Sequence, residues 1–561
     1  MKIVIVGGVA GGASAAARLR RLDESAEIVL LERGDYISFA NCGLPYYIGG
    51  VITDRSELTL QTPESFYSRF RIDVRIRSEV VSIDRAAHRV TVRCNGRESQ
   101  EFYDKLILST GAEPFVPDME GAALPNVFTL RSIPDSLRIR AAVEALASRA
   151  ERRAVIVGGG YIGAEVAENL VNAGLDVTVV EMADHLIAPL DYDMAADVHA
   201  YLRKKGIHLM LRSAVQSIRA RENGLTVITS GGSANAELVL LAIGVRPESR
   251  LAVSAGLALN TKGGIRTDAH MRTADPDVYA VGDAVEIVNF VTGKPGMMPL
   301  AGPANKQGRI AADSICGVPS EYAGTQGSAV LKLFDMTVAT TGLNERAAAA
   351  EGYRYDKVFL YSGSHAGYYP GSSMMSMKVV FEKATGKLLG AQIVGFDGVD
   401  KRCDVLATAI RFGAAGADLT KLELCYAPPF GSAKDPVNMA GFVIENVRSG
   451  LVRQFHWHDV ASLPRDGSVQ LLDVRTEAET ARGMIPGFRG IPLQQLRSRL
   501  GELDRAKPVY VHCHSGLRSY IACRILSGNG FDCRNLAGGY RLWQSVTDEG
   551  EPPVSAMPCG Q

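Results

Sequence analysis

Ala154-Val155-Ile156-Val157-Gly158-Gly159-Gly160-Tyr161-Ile162-Gly163 decides the fold: an apolar run breaks into a complete G-x-G-x-x-G and opens a segment of helical spacing through Leu170. A further apolar run, Asp176 to Val180, ends at Glu181. Strand, glycine turn, helix and strand form a β-α-β unit, in which glycines let the backbone approach a pyrophosphate and the helix N-terminus offsets its charge. Gly158, Gly160 and Gly163 carry this reading, and Gly244 is a further candidate contact. Glu181 would accept a bond from a free ribose 2′-hydroxyl and repel a 2′-phosphate, so the unit favours NADH over NADPH. Arg203 or Lys204 turned inward would weaken that preference.

The pattern has an earlier copy. Lys2 to Val6 is an apolar run that meets Gly7-Gly8-Val9-Ala10-Gly11-Gly12, an Ala-rich helical segment Ala13 to Leu22, and a run Ile28 to Leu31 ending at Glu32. Val9 stands where the middle glycine would be, so this copy alone also reads as a plain glycine-rich turn. Two such units imply two dinucleotides. Leu106 to Ala112 breaks into a small-residue turn at Thr110-Gly111, and Val278 to Val281 ends at Gly282-Asp283, where an aspartate can bond a flavin's ribityl chain. With Gly7, Gly8, Gly11, Gly12 and Glu32, these segments resemble the FAD-binding parts of the two-dinucleotide flavoprotein reductases, with the NADH unit inserted between two halves of the FAD domain. The resemblance runs over residues 1 to 445.

After the first unit comes Ser38-Phe39-Ala40-Asn41-Cys42-Gly43-Leu44-Pro45-Tyr46-Tyr47, with one cysteine where the common disulfide reductase has two. If Cys42 does redox chemistry, its partner sulfur arrives on a substrate or stays on Cys42 as a sulfenate or persulfide. A thiolate near oxidised flavin and a helix N-terminus is expected to have a lowered pKa.

The length of 561 residues exceeds one core and suggests several domains. The 61 basic and 61 acidic residues cancel, which argues against nucleic acid or membrane as partners. Glycines interrupt the opening apolar run before a long apolar segment develops, so a cytoplasmic protein is expected. Nine cysteines lie scattered without a CxxC pair, which fits reduced thiols and no metal site.

Residues 322–450 read as an antiparallel sheet, from Met375 to Phe381 and Leu389 to Gly395, plus a helix from Asp404 to Phe412. His365 to Gly371 and Cys425 to Phe430 are turn-rich loops bearing Tyr368 and Tyr426. With the lone cysteine, these tyrosine loops resemble coenzyme A-disulfide reductases. That resemblance implies a homodimer in which Tyr368 and Tyr426 come from the second subunit to assist protonation near the cysteine. It also implies that Ser14, Arg18, Arg21, Ser38 and Asn41 line a coenzyme A channel, joined by Lys434 across the dimer. Ser14, Arg18 and Arg21 share one helix face, which otherwise reads as a solvated basic surface.

The last hundred residues change character. Val469 to Val474 is a strand ending in Asp473-Val474-Arg475, Gly483 to Gly487 contains Ile485-Pro486-Gly487, and Val509 to His512 delivers Cys513 into His514-Ser515-Gly516-Leu517-Arg518 and a helix. These motifs resemble one rhodanese domain. Backbone N–H groups converging on Cys513 would stabilise a thiolate or persulfide, with Arg518 fixing the loop or binding an anionic donor. A phosphatase loop also uses a cysteine and a terminal arginine, but the flanking segments favour sulfur transfer. Cys523 and Cys533 read as packing residues.

The expected fold class is α/β: two Rossmann-like dinucleotide-binding domains, an α+β dimerisation domain and an α/β rhodanese domain. The segments are 1–145 and 246–321 for FAD, 146–245 for NADH, 322–450 for dimerisation and 455–550 for the rhodanese. The expected activity is NADH-driven, FAD-dependent reduction of a persulfide, polysulfide or coenzyme A disulfide at Cys42, coupled to sulfur transfer at Cys513. Three rivals stand beside it: a coenzyme A-disulfide reductase for thiol balance, an NADH oxidase or peroxidase, and a thiol redox sensor.

Overall fold

The computed structural model describes residues 1–547, so the end of the 455–550 segment and Cys559 lie outside the described residues. The chain divides into two compact units, one formed by Met1–Ala183 with Ile207–Gly327, the other by Asp184–Gly206 with Ser328 onward.

The first unit holds two parallel sheets of the same design. One has the strand order Val278–Ala280, Lys105–Leu108, Lys2–Val6, Glu27–Leu31, Asp73–Arg75. The other runs His208–Met210, Asp176–Val180, Arg153–Val157, Leu238–Leu241, Val127–Phe128. Ile3, Ile5, Ile28 and Leu30 are buried in one, and Val155, Val157 and Val239 in the other, as expected of strands covered on both faces. The two glycine turns superpose in logic. Gly7 and Gly158 hold φ of +98° and +108°, and a Cβ at Gly12 or Gly163 would lie 1.9 or 2.0 Å from the carbonyl oxygen of Gly7 or Gly158. Only glycine fits such an approach. The helices that follow, Ala10–Leu22 and Tyr161–Asn172, begin a few residues before the onset that apolar spacing suggests in the first copy, because the glycines themselves are helical there.

The second unit contains a five-stranded antiparallel sheet ordered Ala329–Leu333, Met336–Gly342, Leu388–Gly395, Met374–Glu382, Tyr355–Gly363. The helix Val399–Arg411 packs on it, starting earlier than the apolar pattern from Asp404 indicates. The helix Tyr192–Lys204, read from sequence as part of the NADH segment, belongs to this unit. In this unit the buried Lys378 ammonium lies 2.7 Å from Asp193, 3.0 Å from Asp191 and against Glu345. The three carboxylates lie close enough together to hold a metal ion, yet the lysine fills their centre. They hold Lys378 charged despite its burial. The C-terminal part of the unit is a parallel sheet, Gln454–Phe455, Cys533–Leu536, Val509–His512, Gln470–Asp473, Arg489–Gly490.

Candidate functional site

The two carboxylates at the ends of the second β-strands are built alike. Glu32 accepts the Gly8 N–H at 2.9 Å and the Gly34 N–H at 2.7 Å. Glu181 accepts from Gly159 at 2.7 Å and Ala183 at 2.8 Å. Each carboxylate is thus pinned over its glycine turn, where a ribose would present its hydroxyls. Nothing lies within 4 Å of where a Cβ would sit at Gly160 or Gly244, so backbone at both positions is open to a ligand. Gly282 donates its N–H to Gln307 Oε1 at 2.8 Å, leaving Gln307 Nε2 buried without a partner. Thr110 donates its hydroxyl to the Glu248 carbonyl, and Gly111 holds φ of +73°. These features fit two dinucleotides.

Cys42 sits in a short 3-10 turn, Asn41–Gly43, ahead of the helix Leu44–Ile48. It is exposed, and it is a free thiol like the other described cysteines. Partial burial first, then the carboxylates of Glu165 and Asp283, push its pKa up. In the chain without its flavin the direction is thus opposite to the one expected beside an oxidised flavin, with burial as the main cause.

Glu165 carries no local sequence signal. It lies on Tyr161–Asn172, which packs against the Cys42 helix, and accepts a hydrogen bond from Tyr46 Oη at 3.4 Å. Burial and the Glu168 charge raise its pKa to about 7, while burial and Glu165 raise Tyr46 to about 12. Arg131 was likewise silent in the sequence. With its amide turned so that nitrogen donates and oxygen accepts, Asn41 bonds the Arg131 carbonyl and guanidinium at 2.9 Å each, and the guanidinium lies 3.9 Å from Asp283. It also stands 2.8 Å from where a Cβ at Gly111 would be. One arginine therefore joins the cysteine turn to both small-residue turns of the first dinucleotide unit. Burial raises the Asp283 pKa, and Arg131 moderates the rise.

Ser14, Arg18, Arg21 and Ser38 come together around an open cleft of about 360 Å³, with Gln61, Arg69, Asn305 and Arg309 added from distant segments. Asn41 and Cys42 follow Ser38 by three and four residues, and neither lines this cleft. Ser14 donates to Asn305 at 2.5 Å, and Arg18 pairs with Asp313 at 2.6 Å. Arg21, Arg69 and Arg309 add positive charge, so the cleft suits an anionic ligand with several phosphates.

In the second unit the Tyr368 and Tyr426 hydroxyls lie 3.0 Å apart on exposed loops, and this bond raises the Tyr368 pKa. Lys434 is exposed immediately before Asp435, which caps the helix Pro436–Arg448.

Cys513 ends the strand Val509–His512 and is fully buried. Its Sγ accepts from the Gly516 N–H at 3.1 Å and from Ser519 Oγ at 3.3 Å. Gly516 holds φ of +99°, the turn that aims its N–H at sulfur. Arg518 donates to both oxygens of Glu479, at 2.7 and 2.6 Å, which holds that carboxyl down at about 2. Cys523 and Cys533 are buried in the core, with Cys533 Sγ donating to the Cys523 carbonyl at 3.3 Å.

Residues 1–308 match the pyridine nucleotide-disulphide oxidoreductase model, 328–436 its dimerisation domain, and 456–546 a rhodanese-like domain. The chain is similar to the crystal structure of reduced Bacillus anthracis CoADR-RHD, with 47% identity, TM-score 0.94, and coverage of 97% of this chain and 98% of that one. It is similar to an NAD-dependent persulfide reductase from A. fulgidus, with 37% identity, TM-score 0.91, and coverage of 98% and 100%. It is 37% identical over 445 residues to a coenzyme A disulfide reductase of Staphylococcus epidermidis, covering 79% of this chain and 99% of that one.

Proposed function

The chain belongs to the pyridine nucleotide-disulphide oxidoreductase family and carries a rhodanese-like domain, and from this premise we propose that it uses NADH to reduce a coenzyme A persulfide or disulfide at Cys42. It is a flavoprotein NAD(P)H-dependent reductase. The observation that carries the substrate reading is the arginine-lined cleft whose Ser38 lies four residues before the free thiol Cys42. A diphosphate-bearing thiol carrier matches both its charge and its neighbour.

FAD would be held by the Gly7 turn, Glu32, Thr110, Gly111 and Asp283, and NADH by the Gly158 turn, Glu181 and Gly244. Cys42 as thiolate attacks the carrier-bound sulfur of a persulfide, forming Cys42–S–S–CoA and releasing hydrosulfide. Held there, FAD would supply electrons drawn from NADH; the mixed disulfide takes up two electrons and one proton to become a Cys42 thiolate and coenzyme A thiol. Glu165 and Tyr46 hold protons beneath the turn, and Glu165 changes charge near neutral pH, where the thiol must be lost and regained. Arg131 fixes Asn41 and so the orientation of the Cys42 turn.

Cys513 accepts sulfane sulfur from a donor and passes it on, its persulfide stabilised by the Gly516 N–H and Ser519 hydroxyl. The chain works as a homodimer in which Tyr368, Tyr426 and Lys434 complete the Cys42 site of a second copy, in the cytoplasm. Among the described residues no helix is long and apolar enough to cross a membrane. The test is NADH oxidation by the whole protein with coenzyme A disulfide, coenzyme A persulfide, polysulfide, oxygen or peroxide, with sulfide and free coenzyme A measured. Turnover with the coenzyme A compounds is expected. Equal turnover with oxygen alone would contradict the reading.

A further inference from the structure

We infer that Arg402 is a positioning residue for coenzyme A reduction: its buried guanidinium sets the placement of the loops that carry Tyr368, Tyr426 and Lys434. The inference rests on the reading above that those three residues serve the coenzyme A site.

Arg402 lies on the helix Val399–Arg411 and is 1% exposed. A guanidinium taken out of water needs its donors satisfied, and its bonds show which segments it binds. Nη2 donates to the Ser364 carbonyl at 2.9 Å, and Ser364 begins the loop that reaches Tyr368. Nε and Nη2 donate to Asp435 Oδ2 at 3.1 and 2.9 Å, and Asp435 follows Lys434 directly. Nη1 donates to the Gly398 carbonyl at 3.2 Å. The loops are bonded to each other as well, through the Ala366 N–H and the Gly431 carbonyl at 2.9 Å. That bond brings the segment carrying Tyr426 beside the one carrying Tyr368, and their hydroxyls meet at 3.0 Å.

A glycine at 398 leaves room for the guanidinium. A Cβ at Gly398 would lie 2.1 Å from Nη1, at a φ of +66° that suits glycine, and a Cβ at Gly431 would lie 3.6 Å from Nη2. Asp435 divides its oxygens, Oδ2 to Arg402 and Oδ1 to the Val437 N–H at 3.0 Å, so the same carboxylate caps a helix and fixes the lysine before it. A lysine in place of Arg402 keeps the charge and loses the planar fork that spans Ser364 and Asp435.

The experiment uses the full-length holoenzyme and the variants Arg402→Lys, Tyr368→Phe and their combination, with coenzyme A disulfide as substrate. Thiosulfate sulfurtransfer and NADH-driven ferricyanide reduction by the same preparations report the rest of the chain. Arg402→Lys is expected to lower kcat/KM for coenzyme A disulfide about tenfold, mainly through KM, with both control activities kept. Tyr368→Phe added to it is expected to cost less than it costs alone, because the two act through one loop. Gly398→Ala, which crowds Nη1 and keeps the guanidinium, is expected to reproduce the pattern. A wild-type KM in Arg402→Lys, multiplicative losses in the double variant, or control activities falling in step would overturn the inference. An impaired Tyr368→Phe beside an unimpaired Arg402→Lys overturns it alone, whereas an unimpaired Tyr368→Phe overturns the site reading as well.

Discussion

The Glu165 carboxylate accepts a hydrogen bond from Tyr46 Oη at 3.4 Å, and its charge is one of two that oppose ionisation of Cys42. Removing it has a definite sign. Glu165→Gln is expected to lower the Cys42 thiol pKa, read as a shift to lower pH in the alkylation rate of that thiol. An unchanged profile would remove Glu165 from the control of the cysteine.

The same group links stability to pH. Its folded pKa of about 7 lies above the ordinary 4.5, so its contribution is complete below about pH 4.5 and is lost as pH rises through 7. Glu165→Gln is expected to gain stability relative to wild type above pH 7, by at most about 3 kcal/mol, and to show no gain at pH 4.5. Urea unfolding of both proteins at the two pH values measures the difference.

Glu181 is pinned by two backbone N–H groups, and as a ribose partner its charge would repel a 2′-phosphate. Glu181→Ala is expected to reduce the NADH over NADPH ratio of kcat/KM about tenfold or more, since bonds to a charged acceptor are worth about 1.5–3 kcal/mol. Steady-state rates with the two nucleotides check this.

Arg21 lines the cleft, whereas the Arg18 guanidinium is engaged by Asp313. Arg21→Ala is expected to raise KM for coenzyme A disulfide about tenfold, with a smaller effect on inorganic polysulfide, which has no phosphates to bind. Equal losses on both substrates would contradict the cleft's role.

Much of this was legible because the informative residues are local. Both glycine turns, Glu32 and Glu181 announce themselves within one β-α-β stretch, and the Cys513 loop follows its strand directly. Arg131, Glu165, Arg69 and Arg309 were not legible, because each reaches the site from a helix or loop far along the chain and has no neighbour of diagnostic type. The burial of Cys42 and the two carboxylates that raise its pKa in the flavin-free chain were not legible for the same reason, since folding brings them close from distant positions. The ion pair between Lys378 and Asp193 of the helix Tyr192–Lys204 was not legible either, because no local pattern declares the burial of that lysine.

The most direct test of the account is Cys42→Ser in the full-length holoenzyme, assayed for NADH-driven sulfide release from coenzyme A persulfide with thiosulfate sulfurtransfer followed in parallel. Sulfide release is expected to vanish while sulfurtransfer at Cys513 persists. Sulfide produced at the wild-type rate by the serine variant would contradict it.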